Sequence, residues 1–220
     1  MKIICDSSAL VSLSASCLLD SLEFLENNSK ARFAITSAVE GEIVSRSERI
    51  EKYRFSSVRL KNLIRRGVLP VEEPRGLRKE TQKIMQAANA AYLLRGRGLP
   101  ILHEGEAECL ACISLTGAKA ILVDEKTTRL LLEDPRGMAR TMSAEYGEKV
   151  VLNQSALAKF SAFKATTVLR STETLKLAAE LGFFKDYGYL DGDALSAGLH
   201  ALRRAGCSIS HRELDEYENL

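Results

Sequence analysis

Short apolar runs rich in β-branched residues alternate with longer stretches of helical period, and this alternation constrains the fold more than any other feature. Lys2–Cys5 (KIIC), Arg32–Ile35 (RFAI), Val68–Glu72 (VLPVE), Lys119–Val123 (KAILV) and Lys149–Leu152 (KVVL) read as strands, the third weakened by Pro70. Helical patterns fill the gaps: Ser8 to about Glu26, broken near Ser16, then Ser37 to about Tyr53, Ser57–Arg66, Leu77–Leu94, Glu104–Leu115, Thr127–Glu133 and a short helix after Pro135. Continuous apolar strands are buried on both faces, and parallel neighbours need a helical crossover. The expectation is therefore an α/β fold with a central parallel sheet of about five strands, complete by residue 152. From Asn153 onward the chain reads as a mostly helical extension, ending in a capping box formed by Ser210 and Glu213. Two units are expected, 1–152 and 153–220.

Composition removes several classes. At 45% hydrophobic and 27% charged, the chain has enough apolar content to offset the entropy of ordering, so disorder is excluded. Five cysteines, an odd and sparse count, do not make a disulfide scaffold. No apolar run approaches the ~18 residues a membrane span requires. The start imitates an export signal, but only Lys2 precedes the apolar segment and Asp6 interrupts it after three residues. A cytoplasmic location is expected, where unpaired cysteines stay reduced. A net charge of +2 says nothing about partners, so any nucleic-acid argument rests on local groups.

Acids supply the chemistry. Ligands of open parallel sheets bind beyond the C-terminal strand ends, and Asp6 and Asp124 each follow an apolar strand directly. Either alone could be a turn residue or a helix cap. Glu42 continues the inward stripe of Ala38 and Val39. In His103-Glu104-Gly105-Glu106-Ala107-Glu108, Glu104 and Glu108 share one helix face, whereas Glu106 shares a stripe with Cys109, Leu110 and Ile113. A favourable helix-dipole position explains Glu104 well and an inward Glu106 less well. If Asp6, Glu42, Glu106 and Asp124 converge, each pair ~4 Å apart repels by roughly 4 kcal/mol at an effective dielectric of 20. A hard divalent cation relieves this, and carboxylate oxygens suit Mg²⁺ or Mn²⁺. Such a centre activates water against a phosphodiester.

The segments Ile3-Ile4-Cys5-Asp6-Ser7-Ser8-Ala9-Leu10, Ile35-Thr36 through Val39 with Glu42-Ile43, Gly105-Glu106-Ala107-Glu108-Cys109-Leu110-Ala111 and Ile121-Leu122-Val123-Asp124-Glu125 resemble, in order and spacing, the PIN-domain family. The resemblance covers about residues 1–152. It implies a three-layer α/β/α fold and a Mg²⁺- or Mn²⁺-dependent endoribonuclease acting on single-stranded RNA. It makes Asp6, Glu42, Glu106 and Asp124 the catalytic and metal-holding acids, and Ser8 a small polar residue that helps position metal or water. Many members carry Asp where Glu106 stands, which leaves Glu108 as the competing candidate. Small toxin members stop near the end of the fold, whereas this chain resembles longer standalone prokaryotic or archaeal members with a C-terminal extension. A homodimer is expected from the same resemblance, which leaves open whether a regulatory protein partner exists.

Other signals are weaker. Arg59, Lys61, Arg65 and Arg66 share one helix, Arg95 and Arg97 flank a loop, and Lys126 and Arg129 follow Asp124. At least one of these patches is expected to line the cleft as phosphate contacts; otherwise they are solvated faces. With no tryptophan and 6% aromatics, extensive base stacking is not expected. Cys109 and Cys112 have half a zinc site's spacing but read as core, and Asp191-Gly192-Asp193 reads as a turn and helix cap. His103 stands before the Glu106 helix, within reach of substrate or incidental to it. A non-catalytic RNA- or partner-binding module with vestigial acids is the rival reading. A phosphoacceptor receiver domain would need an Asp after the third strand, where Glu72-Glu73 stands.

Overall fold

The apolar runs become strands and the periodic stretches become helices in the computed structural model, which describes residues 1–49 and 51–218. The strands are β1 (Lys2–Cys5), β2 (Arg32–Thr36), β3 (Val71–Glu72), β4 (Tyr92–Leu94), β5 (Arg97–Gly98), β6 (Ala120–Leu122), β7 (Val151–Leu152) and β8 (Thr167–Leu169). The helices are α1 (Ser7–Ala15), α2 (Asp20–Asn28), α3 (Ser37–Arg49), α4 (Arg54–Arg65), α5 (Leu77–Ala91), α6 (Glu104–Thr116), α7 (Lys126–Glu133), α8 (Pro135–Tyr146), α9 (Gln154–Leu157), α10 (Ser171–Glu180), α11 (Asp191–Ala205) and α12 (His211–Glu218).

Five strands form one parallel sheet in the order β3-β2-β1-β6-β8. Ile4, Cys5, Ala120, Ile121 and Leu122 are wholly buried, because helices cover both faces in a three-layer α/β/α arrangement. Each such isoleucine or leucine contributes about 1.5–3 kcal/mol of burial. The chain builds outward from β1 through β2 to β3, then returns to the other flank of β1 with β6 and β8. The strand order reverses between β1 and β6, so the crevice for a ligand opens at their C-terminal ends.

Three expectations need correction. Leu77–Leu94 is not one helix: α5 stops at Ala91 and Tyr92–Leu94 turns into β4, which pairs antiparallel with β5. The Arg95-Gly96 turn between them has φ of 51° and 76°, the paired positive values of a tight hairpin. Lys149–Leu152 is not a strand of the parallel sheet either. Its β7 segment pairs antiparallel with β4, and the fifth parallel strand is β8. The sheet is therefore not complete by residue 152. Beyond that residue, Leu175 and Ala178 of α10 and Leu199 and Leu202 of α11 join the same buried core as β1. Finally, Val68–Glu72 narrows to β3: Pro70 has no N–H to donate, and pairing begins at Val71.

Among the described residues no single helix is long and apolar enough to cross a membrane. Cys109 and Cys112 lie in the core.

Candidate active site

Asp6 leaves β1 with extended backbone (φ −80°, ψ 155°) and caps α1, accepting from the Ser8 amide at 2.8 Å and from the Ser8 hydroxyl at 2.5 Å. Its own N–H donates to the Leu122 carbonyl at 2.9 Å, which ties the β1 and β6 ends together. Glu42 comes from the second turn of α3 and accepts from the Ser7 hydroxyl at 2.5 Å. Gly105 lies directly beneath it: a Cβ there would run into the Glu42 carboxylate, so an alanine would displace that carboxylate from its present position. Glu106, only 4% exposed, takes the third position of a capping box. It accepts from the His103 amide at 2.7 Å and from the Thr128 hydroxyl at 2.6 Å.

Asp6, Glu42 and Glu106 surround one pocket of about 190 Å³, together with Ser7, Ser8, His103 and a fourth carboxylate, Glu125. No lysine or arginine is among these lining residues. Burial pushes the Glu106 carboxyl up to about 8, the neighbouring Glu125 and Asp6 charges adding to it and the two hydrogen bonds only partly opposing it. Glu108 points elsewhere: it accepts from the Ala38 amide at 2.8 Å and the Ser37 hydroxyl at 3.1 Å, capping α3 from outside that helix.

Asp124, the fourth expected acid, is not among the residues that line this pocket. It is 1% exposed, and its carboxylate accepts from the Ser171 amide at 2.7 Å and the Ser171 hydroxyl at 2.8 Å. Strand register explains this. Cys5 pairs with Leu122, so the residue level with Asp6 is Val123, and Asp124 lies one step further on. Glu125, at the cap of α7, reaches the pocket instead. Ser8 sits between the two strand ends, its hydroxyl also accepting from the Asp124 amide at 3.1 Å.

The donor set has the chemistry of a hard-cation site: carboxylates, hydroxyls and no competing cation among the lining residues. It is not gathered into finished ligand geometry. Among the described residues no three His, Cys, Asp or Glu side chains stand together as an ion's ligands. Hydroxyls and amides hold the inner carboxylates at the positions just given.

The expected basic patches do not line the pocket. Arg66 pairs with Glu23, Arg95 with Glu148, and Arg129 lies 3.9 Å from Glu213. Arg59 donates to the Ser14 carbonyl. Lys126, exposed, is the closest in sequence to the pocket, directly after Glu125. Sequence reasoning passed over Glu125 and Ser171. The first stood inside a quoted motif; the second gave no signal, because its contact spans 47 residues.

A family model described as "PIN domain" matches residues 2–134, a span that holds all four pocket carboxylates. No curated protein and no solved structure matches the chain.

Proposed function

The chain belongs to the PIN-domain family, and from that premise we propose that it is a metal-dependent endoribonuclease acting on single-stranded RNA. The observation that carries this reading is the convergence of Asp6, Glu42, Glu106 and Glu125 on one pocket, at the sheet's switch point, with no basic residue in its lining. Asp6, Glu42 and Glu106 would hold a Mg²⁺ or Mn²⁺ ion, with Glu125 at the rim. Bound there, the ion supplies a lowered pKa for water and charge neutralisation on the phosphodiester.

The chain's own residues prepare that site. The Ser7 and Ser8 hydroxyls orient the Glu42 and Asp6 carboxylates. The His103 amide and the Thr128 hydroxyl fix Glu106. Until a countercharge arrives, burial beside Glu125 and Asp6 disfavours the Glu106 anion and holds its carboxyl above the ordinary glutamate range. Lys126 follows Glu125 directly and is exposed, so it is the basic side chain proposed to meet a phosphate of the RNA. Five unpaired cysteines, four of them buried, suit the cytoplasm.

The test is Asp6→Asn. Asparagine keeps the α1 cap but loses the anionic oxygen. Calorimetry should show Mn²⁺ binding to the wild type and its loss in the variant, and cleavage of a single-stranded RNA should fall by about 10²-fold or more. A variant that cuts at the wild-type rate would refute the assignment.

A further inference from the structure

We infer that Ser171, which lies outside the residues matched by the family model, is a positioning residue for the acidic pocket, acting through Asp124 and Ser8 on Asp6. The inference rests on reading that pocket as an ion site.

Ser171 is the first residue of α10, directly behind β8, and is wholly buried. It gives Asp124 two donors, one to each carboxylate oxygen. The Ser208 amide adds a third tie, to the Asp124 carbonyl at 3.2 Å. Asp124 is thus clamped by the C-terminal segment at both ends of the residue. So fixed, its backbone N–H points at the Ser8 oxygen. A hydroxyl oxygen that accepts from one side turns its own proton to another, and Ser8 donates to Oδ2 of Asp6. A continuous hydrogen-bonded path therefore runs from Ser171 through Asp124 and Ser8 to the pocket.

Without the Ser171 hydroxyl, a buried carboxylate loses one of its partners, and a buried anion short of donors moves toward others. Asp124 would swing, its amide would leave Ser8, and the Asp6 carboxylate would lose its fixed orientation.

Three variants of the full chain test this: Ser171→Ala, Ser171→Thr and Thr172→Ala. Hydrogen exchange on metal-free protein reads the path directly. Ser171→Ala should speed exchange at the Ser8 and Asp124 amides by about tenfold. With Mn²⁺ and a single-stranded RNA, it should weaken Mn²⁺ binding and lower kcat by about tenfold while KM stays within about twofold. Ser171→Thr, which keeps the hydroxyl, should restore all three. Thr172→Ala removes a neighbouring buried hydroxyl that reaches Asp124 only through the Cys207 thiol, and should alter each of them by less than about twofold. Unchanged exchange in Ser171→Ala, or an equal response from Thr172→Ala, overturns the inference. A wild type that binds no Mn²⁺ and cuts no RNA, while exchange still responds to Ser171→Ala, overturns the proposed function and upholds the path.

Discussion

The Thr128 hydroxyl donates to Oε1 of Glu106 at 2.6 Å, joining α7 to α6 in a buried setting across 22 residues of sequence. Such a bond lowers a carboxyl's pKa, yet Glu106 stands at about 8, since burial outweighs it.

A pH dependence of the metal-free protein follows. The folded state holds a proton on Glu106 above the ordinary glutamate range, so it binds more protons than the unfolded chain. Its stability should therefore fall as pH rises from about 4.5 to about 8. Glu106→Gln should remove that slope and raise Tm by a few degrees at pH 8 in EDTA. The amide can accept from His103 N–H while its NH₂ donates to Thr128, whose hydroxyl serves either way. The same substitution should weaken Mn²⁺ binding, so stability and ion affinity move in opposite directions. Melting curves across pH, with and without Mn²⁺, check both. A Gln variant that melts lower than wild type at pH 8 in EDTA would remove the electrostatic account of the pocket.

Gly105→Ala separates packing from function in another way. Glycine within a helix costs about 1 kcal/mol against alanine, but the new Cβ meets the Glu42 carboxylate. That carboxylate is the far end of a flexible side chain and can yield. The variant should melt within a few degrees of wild type, with the helix gain offsetting the displacement. Its Mn²⁺ affinity should drop by about tenfold, since Glu42 leaves the pocket wall. Calorimetry and thermal melts on one sample decide it; wild-type affinity would place Glu42 outside the ion's reach.

The Arg170 cluster sets the acid limit of the fold. Arg170 is 5% exposed, caps α10, and bridges Glu173 on that helix to Glu213 on α12. Burial alone would raise both carboxyls. Arg170 and Tyr217 reverse this for Glu173, and Ser210 with Arg170 bring Glu213 down to about 2. Depressed folded-state values give stability that is present above the ordinary glutamate range and lost as pH falls toward 2. Arg170→Ala should cost about 2 kcal/mol at pH 7, because it removes a buried cation from two half-buried acids whose attraction to it solvent partly screens. It should also flatten the loss of stability between about pH 4.5 and 2. Urea melts at pH 3 and 7 measure the difference; equal loss in wild type and variant would clear Arg170 of that role.

Local pattern carried some of the site and stopped at contacts between distant segments. Helical phase alone separates Glu106 from Glu108, and the structure puts the first on the pocket wall and the second on the α3 cap. The strand-end rule placed Asp6 beyond β1. After β6 it pointed to Asp124 and passed over Glu125, which lines the pocket, because the direction of a side chain in the short turn after β6 depends on the register with β1. Thr167–Leu169 is too short to stand out as a strand, and its partner β6 is distant in sequence. Tyr92–Leu94 continues a helical pattern until the Arg95-Gly96 turn folds it back. The parallel sheet was legible because each of its crossovers leaves a long periodic stretch between apolar runs.

RNA binding should depend on salt, even though the pocket itself is acidic. On the proposed reading, phosphates are met by basic side chains outside the pocket lining, and each contact releases counterions on binding. Lys126 follows Glu125 directly and is exposed, and Lys61 and Arg65 are exposed on α4. With two or three such contacts, affinity for a single-stranded RNA should fall by about tenfold between 50 and 200 mM salt. Lys126→Ala should reduce the slope of log K against log salt by about 0.7, the contribution of one phosphate on a single strand. Fluorescence anisotropy with labelled RNA, in EDTA to silence cleavage, gives both slopes. A flat salt profile would mean that the basic side chains do not hold the substrate. An unchanged slope in Lys126→Ala would move the phosphate track away from the α7 end of the pocket.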